Sequence, residues 1–338
     1  MPKPLVVQIM EQFRADLLVK ERQQTATMVR NWQTVERSLM EKIEEFTERV
    51  IQDELTTGQI RSRQFQLDRF GALLAQTRTQ LDRFMNVTEP QIARRTSTLA
   101  SQGANLAVAT IRAVAPRITF DILPVDAIRN IVALSNTGSP LRSLLDASYG
   151  AGARGMFDQL ISGVALGRNP NVIARAMVRD GLSQTLSRVI NVARTEPLRA
   201  FRESSRQQYI NSGVVEGYRR LAAKSDRTCP ACLIADGEVY EVLEEFREHP
   251  QGRCTTIPNV TGFAPVQWET GKDWLIRQPP AVQQKILGIG RFNAFQNGMD
   301  LDEMVSTRTD PTWGDSLQPT PVRDLGRGRR VFQMRQTA

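Results

Sequence analysis

The sequence predicts a mainly α-helical protein that carries one small β-ribbon lobe. Apolar residues recur at steps of three and four along the N-terminal third, which is the period of an amphipathic helix. Beyond Gly213, β-branched and aromatic residues gather around an Asp-Gly turn signal, a pattern typical of a short β-hairpin. We therefore expect a long N-terminal helical hairpin, a central helical body, and a β-ribbon lobe that is followed by short helices.

Residues 1–115 are predicted to form the helical hairpin, or arm. No proline occurs between Pro4 and Pro90, so a helix can continue almost throughout this segment. A turn is expected near Gly58. Two apolar stripes at helical spacing flank it: Met28, Trp32, Val35, Leu39, Ile43, Phe46 and Val50, then Leu67, Phe70, Leu74, Leu81 and Phe84. Such stripes are typical of a helix-bundle core, and an oligomeric coiled-coil arm is the alternative.

The central helical body begins at residue 116. We predict helices over residues 126–134, around residues 156–164, after Pro170 and over residues 183–210. Pro170 fits a helix start because proline is tolerated in the first turn.

The β-ribbon is predicted from residues 214–218 and 238–240, with a tight turn at Asp236 and Gly237. Short helices such as residues 281–287 follow. Residues 317–338 are expected to form a flexible basic tail, since glycine-spaced arginines cannot build a core. The arginines of this tail are Arg323, Arg327, Arg329, Arg330 and Arg335.

All three cysteines and the only histidine lie between Cys229 and Cys254, in the order C-x2-C-x16-H-x4-C. Thiolates and an imidazole are ligands of tetrahedral Zn²⁺, and a Cys₃His set is typical of a closed, structural site. We therefore predict that Cys229, Cys232, His249 and Cys254 hold a structural zinc ion within a knuckle at residues 226–256. The alternatives are buried thiols without a metal, or one disulfide with a thiol left over.

The segment before His249 is rich in acidic residues, which we interpret as a solvated face; the alternative is that they repel DNA from this lobe and direct it to protein contacts. These acidic residues are Asp236, Glu238, Glu241, Glu244, Glu245 and Glu248.

The formal charge of +8 and the pI near 9.8 favour a polyanionic partner, because cationic side chains release counterions from phosphate. Nearly all the positive charge is arginine, which is typical of phosphate contacts but also of proteins from GC-rich genomes. No apolar run reaches the length of a membrane span, and the N-terminus lacks the pattern of a signal peptide. We expect no membrane segment and no classical export.

An enzymatic role is not predicted. A zinc deaminase needs an H-x-E segment upstream of its CxxC, and a zincin needs H-E-x-x-H. A nuclease of the HNH type needs a general-base histidine besides the zinc ligands. The single histidine of this chain, His249, satisfies none of these requirements.

The middle of the chain carries several motifs in a fixed order. They are Gly167-Arg-Asn169-Pro170, Asn191-Val-Ala-Arg194-Thr195-Glu196, Arg202, Tyr209-Ile-Asn-Ser-Gly213-Val, Asp226-Arg-Thr-Cys229-Pro-Ala-Cys232, Asp236-Gly237, His249-Pro250-Gln-Gly-Arg253-Cys254-Thr, Gly271-Lys-Asp-Trp274, Gln283 and Ile286-Leu-Gly288-Ile-Gly-Arg291-Phe. In this order they resemble the phage head-morphogenesis family, the Mu F-like or minor head proteins, over residues 120–316. The predicted domain therefore occupies residues 116–316. One departure is Gly252, where the family pattern often has cysteine; Asp226 or Asp236 could supply an oxygen ligand instead.

The resemblance implies a minor head protein of a tailed phage, located in the capsid interior near the portal. Its partners would be the portal protein or the major capsid protein, together with non-specifically bound double-stranded DNA, and its role would be head assembly and genome retention or delivery. During assembly it would reside in the host cytoplasm. The alternatives are a zinc-stapled DNA-binding protein of the host cytoplasm and a hydrolase that acts on DNA or cell wall.

The candidate DNA- or partner-binding residues are arginines: Arg194, Arg202, Arg323, Arg327, Arg329 and Arg330. For Arg194 and Glu196 a structural alternative exists. Two positions apart on a helix, they do not face each other, and both could anchor the helix to the ribbon through buried hydrogen bonds.

Overall fold

The structure is a computed structural model, and it describes residues 2–57, 63–134, 170–310 and 313–326, with eight further residues between 147 and 162. The fold is mainly α-helical with a small β lobe, which confirms the predicted class. Its residues divide into two compact units. Unit 1 contains Met1–Leu18, Thr96–Val132 and Pro197–Ala338, and unit 2 contains Val19–Arg95 and Ala133–Glu196. Each unit takes residues from more than one of the predicted segments 1–115, 116–316 and 317–338.

Two long helices form most of the N-terminal third, α1 (Leu5–Thr57) and α2 (Arg63–Val114). Shorter helices follow: α3 (Val125–Leu134), α4 (Pro170–Ala176) and the long α5 (Ser183–Ser212), the last two separated by a π-helical turn at Met177–Leu182. These elements agree with the helices predicted over residues 126–134, after Pro170 and over 183–210. The predicted turn at Gly58 and most of residues 156–164 lie outside the described residues.

In unit 2, the apolar stripes face each other as the helical period predicts. Trp32 of α1 meets Phe84 of α2 edge to face, with ring centroids 5.3 Å apart. Met28, Leu39 and Ile43 are buried beside them, so this part of the stripe forms a helix-bundle core. The side chains of Phe46, Val50, Leu67, Phe70 and Leu74 lie outside the described set.

In unit 1, the first turns of α1 pack on the other helices and on the β lobe. Phe13 stacks on Phe201 of α5 with a centroid distance of 4.4 Å. Gly103 lets α2 approach α5 closely, because a Cβ at this position would lie 2.2 Å from the carbonyl oxygen of Phe201. The shared apolar cluster consists of Val6, Val7, Met10, Phe13, Leu17, Leu99, Leu198, Phe201, Leu221 and Ile257.

The β lobe is a three-stranded antiparallel sheet in the order β2-β1-β3. Its strands are β1 (Val215–Leu221), β2 (Val239–Glu241) and β3 (Thr255–Val260), and helix α6 (Pro230–Ile234) lies between β1 and β2 in sequence. The predicted two-stranded ribbon is therefore one strand short, since β3 pairs with β1 from Leu221↔Thr255 to Val215↔Val260.

The remainder of unit 1 contains α7 (Gly271–Ile276), α8 (Pro280–Leu287), α9 (Ile289–Gln296) and two 3₁₀ turns, Leu301–Met304 and Val322–Asp324. It also contains an antiparallel hairpin of β4 (Val305–Asp310) and β5 (Gly314–Pro319). The short helices predicted after the β lobe are confirmed, and the β4–β5 hairpin was not predicted; its Val305 and Leu317 pack with Met304, α6 and α7 in one apolar cluster. No helix in the described ranges is both long and apolar enough to cross a bilayer.

Candidate metal centre

Three short elements bring the cysteines and the histidine of unit 1 together. Cys229 is the N-cap of α6, and Pro230 occupies the first helical position, where its missing N–H is not needed. Cys232 follows within this single turn of helix and is buried. His249 lies in the loop after β2, and Cys254 directly precedes β3. The loop turns back at Gly252, whose N–H donates to the carbonyl of His249 over 2.9 Å.

The four predicted ligands lie close enough to one another to bind a metal ion. Cys232 Sγ is 3.1 Å from His249 Nε2. The ligand atoms of Cys229, Cys232 and His249 all lie within 4.8 Å of each other, and so do those of Cys232, Glu248 and Cys254. All three cysteines are free thiols. The convergence predicted from the spacing is therefore confirmed, and the disulfide alternative is not what the fold contains.

The imidazole of His249 is oriented for a ligand role. Its Nδ1 lies 2.9 Å from the carbonyl oxygen of Pro250. Nδ1 donates a proton to that carbonyl, so Nε2, which faces Cys232, is the nitrogen available to a metal ion once its own proton is displaced. Metal-binding histidines are held in this way, with the second ring nitrogen bonded to a backbone carbonyl or a carboxylate.

The two thiols of the knuckle and the imidazole differ widely in pKa. Hydrogen bonding to Cys232 lowers the pKa of Cys229 to about 4, against the effect of burial and with help from His249. Hydrogen bonds from its neighbours and burial raise the pKa of Cys232 well above the ordinary thiol value. Burial disfavours the imidazolium of His249, but the hydrogen bond to Cys229 and the charge of Glu248 raise its pKa to about 9. A divalent ion would bind here by displacing protons from Cys232 and His249.

Glu248 connects this cluster to a buried arginine. Its Oε1 lies 3.5 Å from Cys232 Sγ, and its Oε2 accepts a hydrogen bond of 2.9 Å from Arg220 Nη1. Burial favours the neutral acid, but the charges of Arg220 and His249 outweigh it and lower the pKa of Glu248. Arg220 has no exposed surface, lies 4.2 Å above the ring of Phe246, and also donates to the hydroxyl of Tyr240.

The interpretation of the acidic segment as a solvated face is wrong for three of its members. Asp236, Glu238 and Glu248 are buried, because each is held by a cation or by backbone donors that compensate the loss of water. Glu238 faces Arg220 at 3.6 Å. Sequence reasoning missed Glu248 and Arg220 as residues of the centre. The one sequence signal for Glu248 is that it directly precedes the single histidine, and Arg220 has no comparable signal.

Neither aspartate suggested as an oxygen ligand belongs to the cluster. Asp236 accepts hydrogen bonds from the backbone N–H groups of Ala222 and Gly271, over 2.6 and 2.8 Å, and pairs with Lys224 at 3.0 Å. Asp226 is paired with Lys285 at the surface. Among the described residues, the carboxylate next to the cysteines is that of Glu248.

The predicted DNA-binding arginines occupy different environments. Arg194 forms an ion pair of 2.8 Å with Glu21 of α1, inside unit 2. Arg202 is only 6% exposed and donates to the carbonyl of Gly252 over 3.1 Å. A phosphate does not reach this guanidinium, which corrects the expectation of a DNA contact at Arg202.

Arg323 is the predicted contact residue that faces solvent in the described part of the tail, with 83% of its side chain exposed. Arg327, Arg329, Arg330 and Arg335 lie outside the described residues.

Comparisons with protein-family models, with curated proteins and with solved structures find no match to this chain.

Proposed function

We propose that this protein is a minor head protein of a tailed phage, a non-enzymatic component of the capsid interior that contacts the portal or the major capsid protein. The observation that carries the proposal is the convergence of Cys229, Cys232, His249 and Cys254. These residues belong to the ordered motifs that resemble the head-morphogenesis family. Their convergence supports the view that these motifs together specify one folded lobe.

The metal of this lobe is proposed to be zinc. Three thiolates and one imidazole match the preference of Zn²⁺ for soft and borderline ligands in tetrahedral geometry. The cluster is closed, since Cys232 and Cys254 are buried and four side chains suffice to fill a tetrahedral sphere. A closed sphere leaves no position for a reacting water, which supports a structural role over a catalytic one.

The mechanical consequence of such an ion would be to join three parts of the chain. Cys229 and Cys232 belong to α6, His249 to the loop after β2, and Cys254 to the start of β3. A bound ion would fix the loop against the sheet without a large apolar core. This suits a lobe with short strands, because metal-binding free energy then contributes directly to folding.

Contact with packaged DNA is proposed to involve the basic surface and the tail. The net charge of +8 and the exposed Arg323 support it. Contacts of this kind are independent of sequence and weaken as salt concentration rises. A protein that resides among packaged DNA has to tolerate a dense polyanion, and an arginine-rich surface is compatible with that setting.

The proposal is tested by locating the chain in assembled heads. The protein is expressed together with the portal and major capsid proteins of its own genome, and DNA-filled heads are purified and analysed by mass spectrometry. We expect a fixed, low copy number per head, retained after a high-salt wash that removes an added cytoplasmic marker. Consistent absence from washed heads that contain portal would overturn the virion assignment.

A matched variant separates incorporation from folding. Cys229→Ser is expected to lower incorporation together with zinc content, whereas the exposed-site control Glu245→Gln is expected to incorporate as the wild type does. Hydrolytic turnover of DNA or cell wall by the purified zinc-loaded protein would instead favour the enzymatic alternative.

A further inference from the structure

Arg14 of helix α1 reaches the candidate metal centre from more than two hundred positions upstream. Its Nη2 lies 3.3 Å from the carbonyl oxygen of Leu221 and 3.4 Å from Thr255 Oγ1. Leu221 and Thr255 are paired across β1 and β3 at the end of the sheet. Thr255 is the residue after Cys254, so Arg14 contacts the point at which β3 leaves the cluster.

The environment of Arg14 is unusual for an arginine. Only 7% of the residue is exposed, and its Nε has no hydrogen-bond partner among the described residues. It lies on the apolar face of α1 that packs in unit 1, next to Phe13 and one helical turn from Met10 and Leu17. Burying a cation on such a face is costly unless an anion compensates it.

The groups that oppose this cost electrostatically are Cys254 of the cluster and the carboxylates of Asp236 and Glu11. Burial lowers the pKa of the Arg14 guanidinium, and the charge of Cys254 is the largest influence that opposes this effect. Glu248, the carboxylate of the cluster, is already bonded to Arg220. Arg202, also buried, donates beside it to Gly252. Three buried arginines therefore surround a cluster that contains one carboxylate.

Metal binding would displace protons from the thiols and so place negative charge on the sulfur atoms beside these arginines. A divalent ion with three thiolates and one neutral imidazole carries one net negative charge, which buried guanidinium groups stabilise. The ion would also fix Cys254, and with it the Thr255 hydroxyl that Arg14 contacts.

We propose that metal occupancy of this centre controls the docking of the first helical segment, residues 5–18, onto the rest of unit 1, with Arg14 as the positioning residue. The inference rests on the proposed metal centre and adds that metal binding and the docking of residues 5–18 are coupled. Because coupling is reciprocal, the docked helix also strengthens metal binding. The ion would then secure the N-terminal segment as well as the loop around it.

The first test measures hydrogen–deuterium exchange of the full-length protein, zinc-loaded and after chelation under reducing conditions, with zinc removal verified by elemental analysis. We expect amides of residues 5–18 to exchange about tenfold faster or more without zinc, as a loss of about 1.4 kcal/mol or more of local stability implies. Amides of residues 28–43 in unit 2 report on global unfolding and are expected to keep their protection. Unchanged exchange of residues 5–18 after verified zinc removal would overturn the inference.

The second test uses variants and stays informative if chelation unfolds the whole chain. Zinc affinity is measured by competition with a chromophoric chelator for Arg14→Gln, Arg14→Lys and the exposed control Arg22→Gln. Arg14→Gln is expected to bind zinc about tenfold more weakly, as typical outer-shell losses are. Arg14→Lys should lose less because it keeps the charge, and Arg22→Gln should match the wild type.

The outcomes distinguish the two proposals. If wild-type protein holds no zinc under reducing conditions, the metal centre itself is wrong. If wild type holds zinc and Arg14→Gln binds it as tightly as Arg22→Gln does, the metal centre stands and the coupling to the helix is wrong.

Discussion

The carboxylate of Glu248 fills the space that a side chain at Gly252 would need. A Cβ at position 252 would lie 2.2 Å from Glu248 Oε1 and 2.3 Å from its Cδ. The two residues are therefore matched, and a side chain at position 252 would have to displace the Glu248 carboxylate. In this chain a carboxylate held by Arg220, and not a fourth thiol, stands beside Cys232 and Cys254.

Gly252→Ala is expected to lower the free energy of unfolding by about 1–3 kcal/mol, since the added methyl forces Glu248 away from Arg220. Denaturant titration of the reduced, zinc-loaded protein measures this. In a Glu248→Ala background, where the space is free, the same substitution should cost clearly less. Equal costs in both backgrounds would show that the two positions are not coupled.

Arg220→Met is expected to destabilise the protein by about 3–5 kcal/mol, because it leaves Glu248 buried without its guanidinium partner and leaves Glu238 with Arg247. The control is Lys285→Met, which removes an exposed ion pair with Asp226 and should change stability far less. Thermal and urea unfolding measure both variants. Similar small effects for the two would mean that the buried pair contributes no more than a surface one.

Asp236→Asn is expected to cost about 2–3 kcal/mol of unfolding free energy. Ala222 and Gly271 donate to different oxygens of Asp236, so in either orientation the amide places its NH₂ group against one of the two N–H donors and leaves the other a neutral acceptor. Asp226→Asn, the same change at an exposed site, serves as the control and should have little effect. A neutral result at position 236 would contradict the role we assign to its hydrogen bonds.

Replacing Arg327, Arg329, Arg330 and Arg335 by glutamine is expected to weaken binding to duplex DNA of random sequence. The slope of log affinity against log salt should become less negative by about 0.9 for each lost phosphate contact. Lysine at the same four positions keeps the charge and should keep the slope. Fluorescence anisotropy over a salt series measures this, and identical slopes for the glutamine variant and the wild type would remove the tail from the DNA interface.

The helical architecture could be predicted because its signal is local. Trp32 and Phe84 belong to apolar stripes that are visible in the sequence. Apolar residues at steps of three and four fit a helix and do not fit the alternating pattern of a strand. Strand β3 was missed because Pro258 lies within it, and proline argues against a strand unless the strand is at a sheet edge, where β3 lies. The β4–β5 hairpin was missed because its strands are mostly polar and exposed.

The metal cluster could be predicted because cysteine and histidine are rare in this chain and their spacing is specific. Its surroundings could not, because long-range packing decides them. Arg14 and Arg202 are indistinguishable in sequence from surface arginines, and only the fold places them near Cys254 and Gly252. Glu248 resembles any residue of an acidic run until Arg220 of β1 is seen to face it.

The zinc content of the protein tests the central claim most directly. The chain is purified under reducing conditions without chelators and analysed for metals, alongside Cys229→Ser, His249→Ala and the exposed control Glu245→Gln. We predict about one equivalent of zinc per chain in the wild type and the control, with a loss of zinc and a lower melting temperature in the two ligand variants. Wild-type protein without bound metal, or ligand variants with unchanged zinc content and melting temperature, would contradict the account.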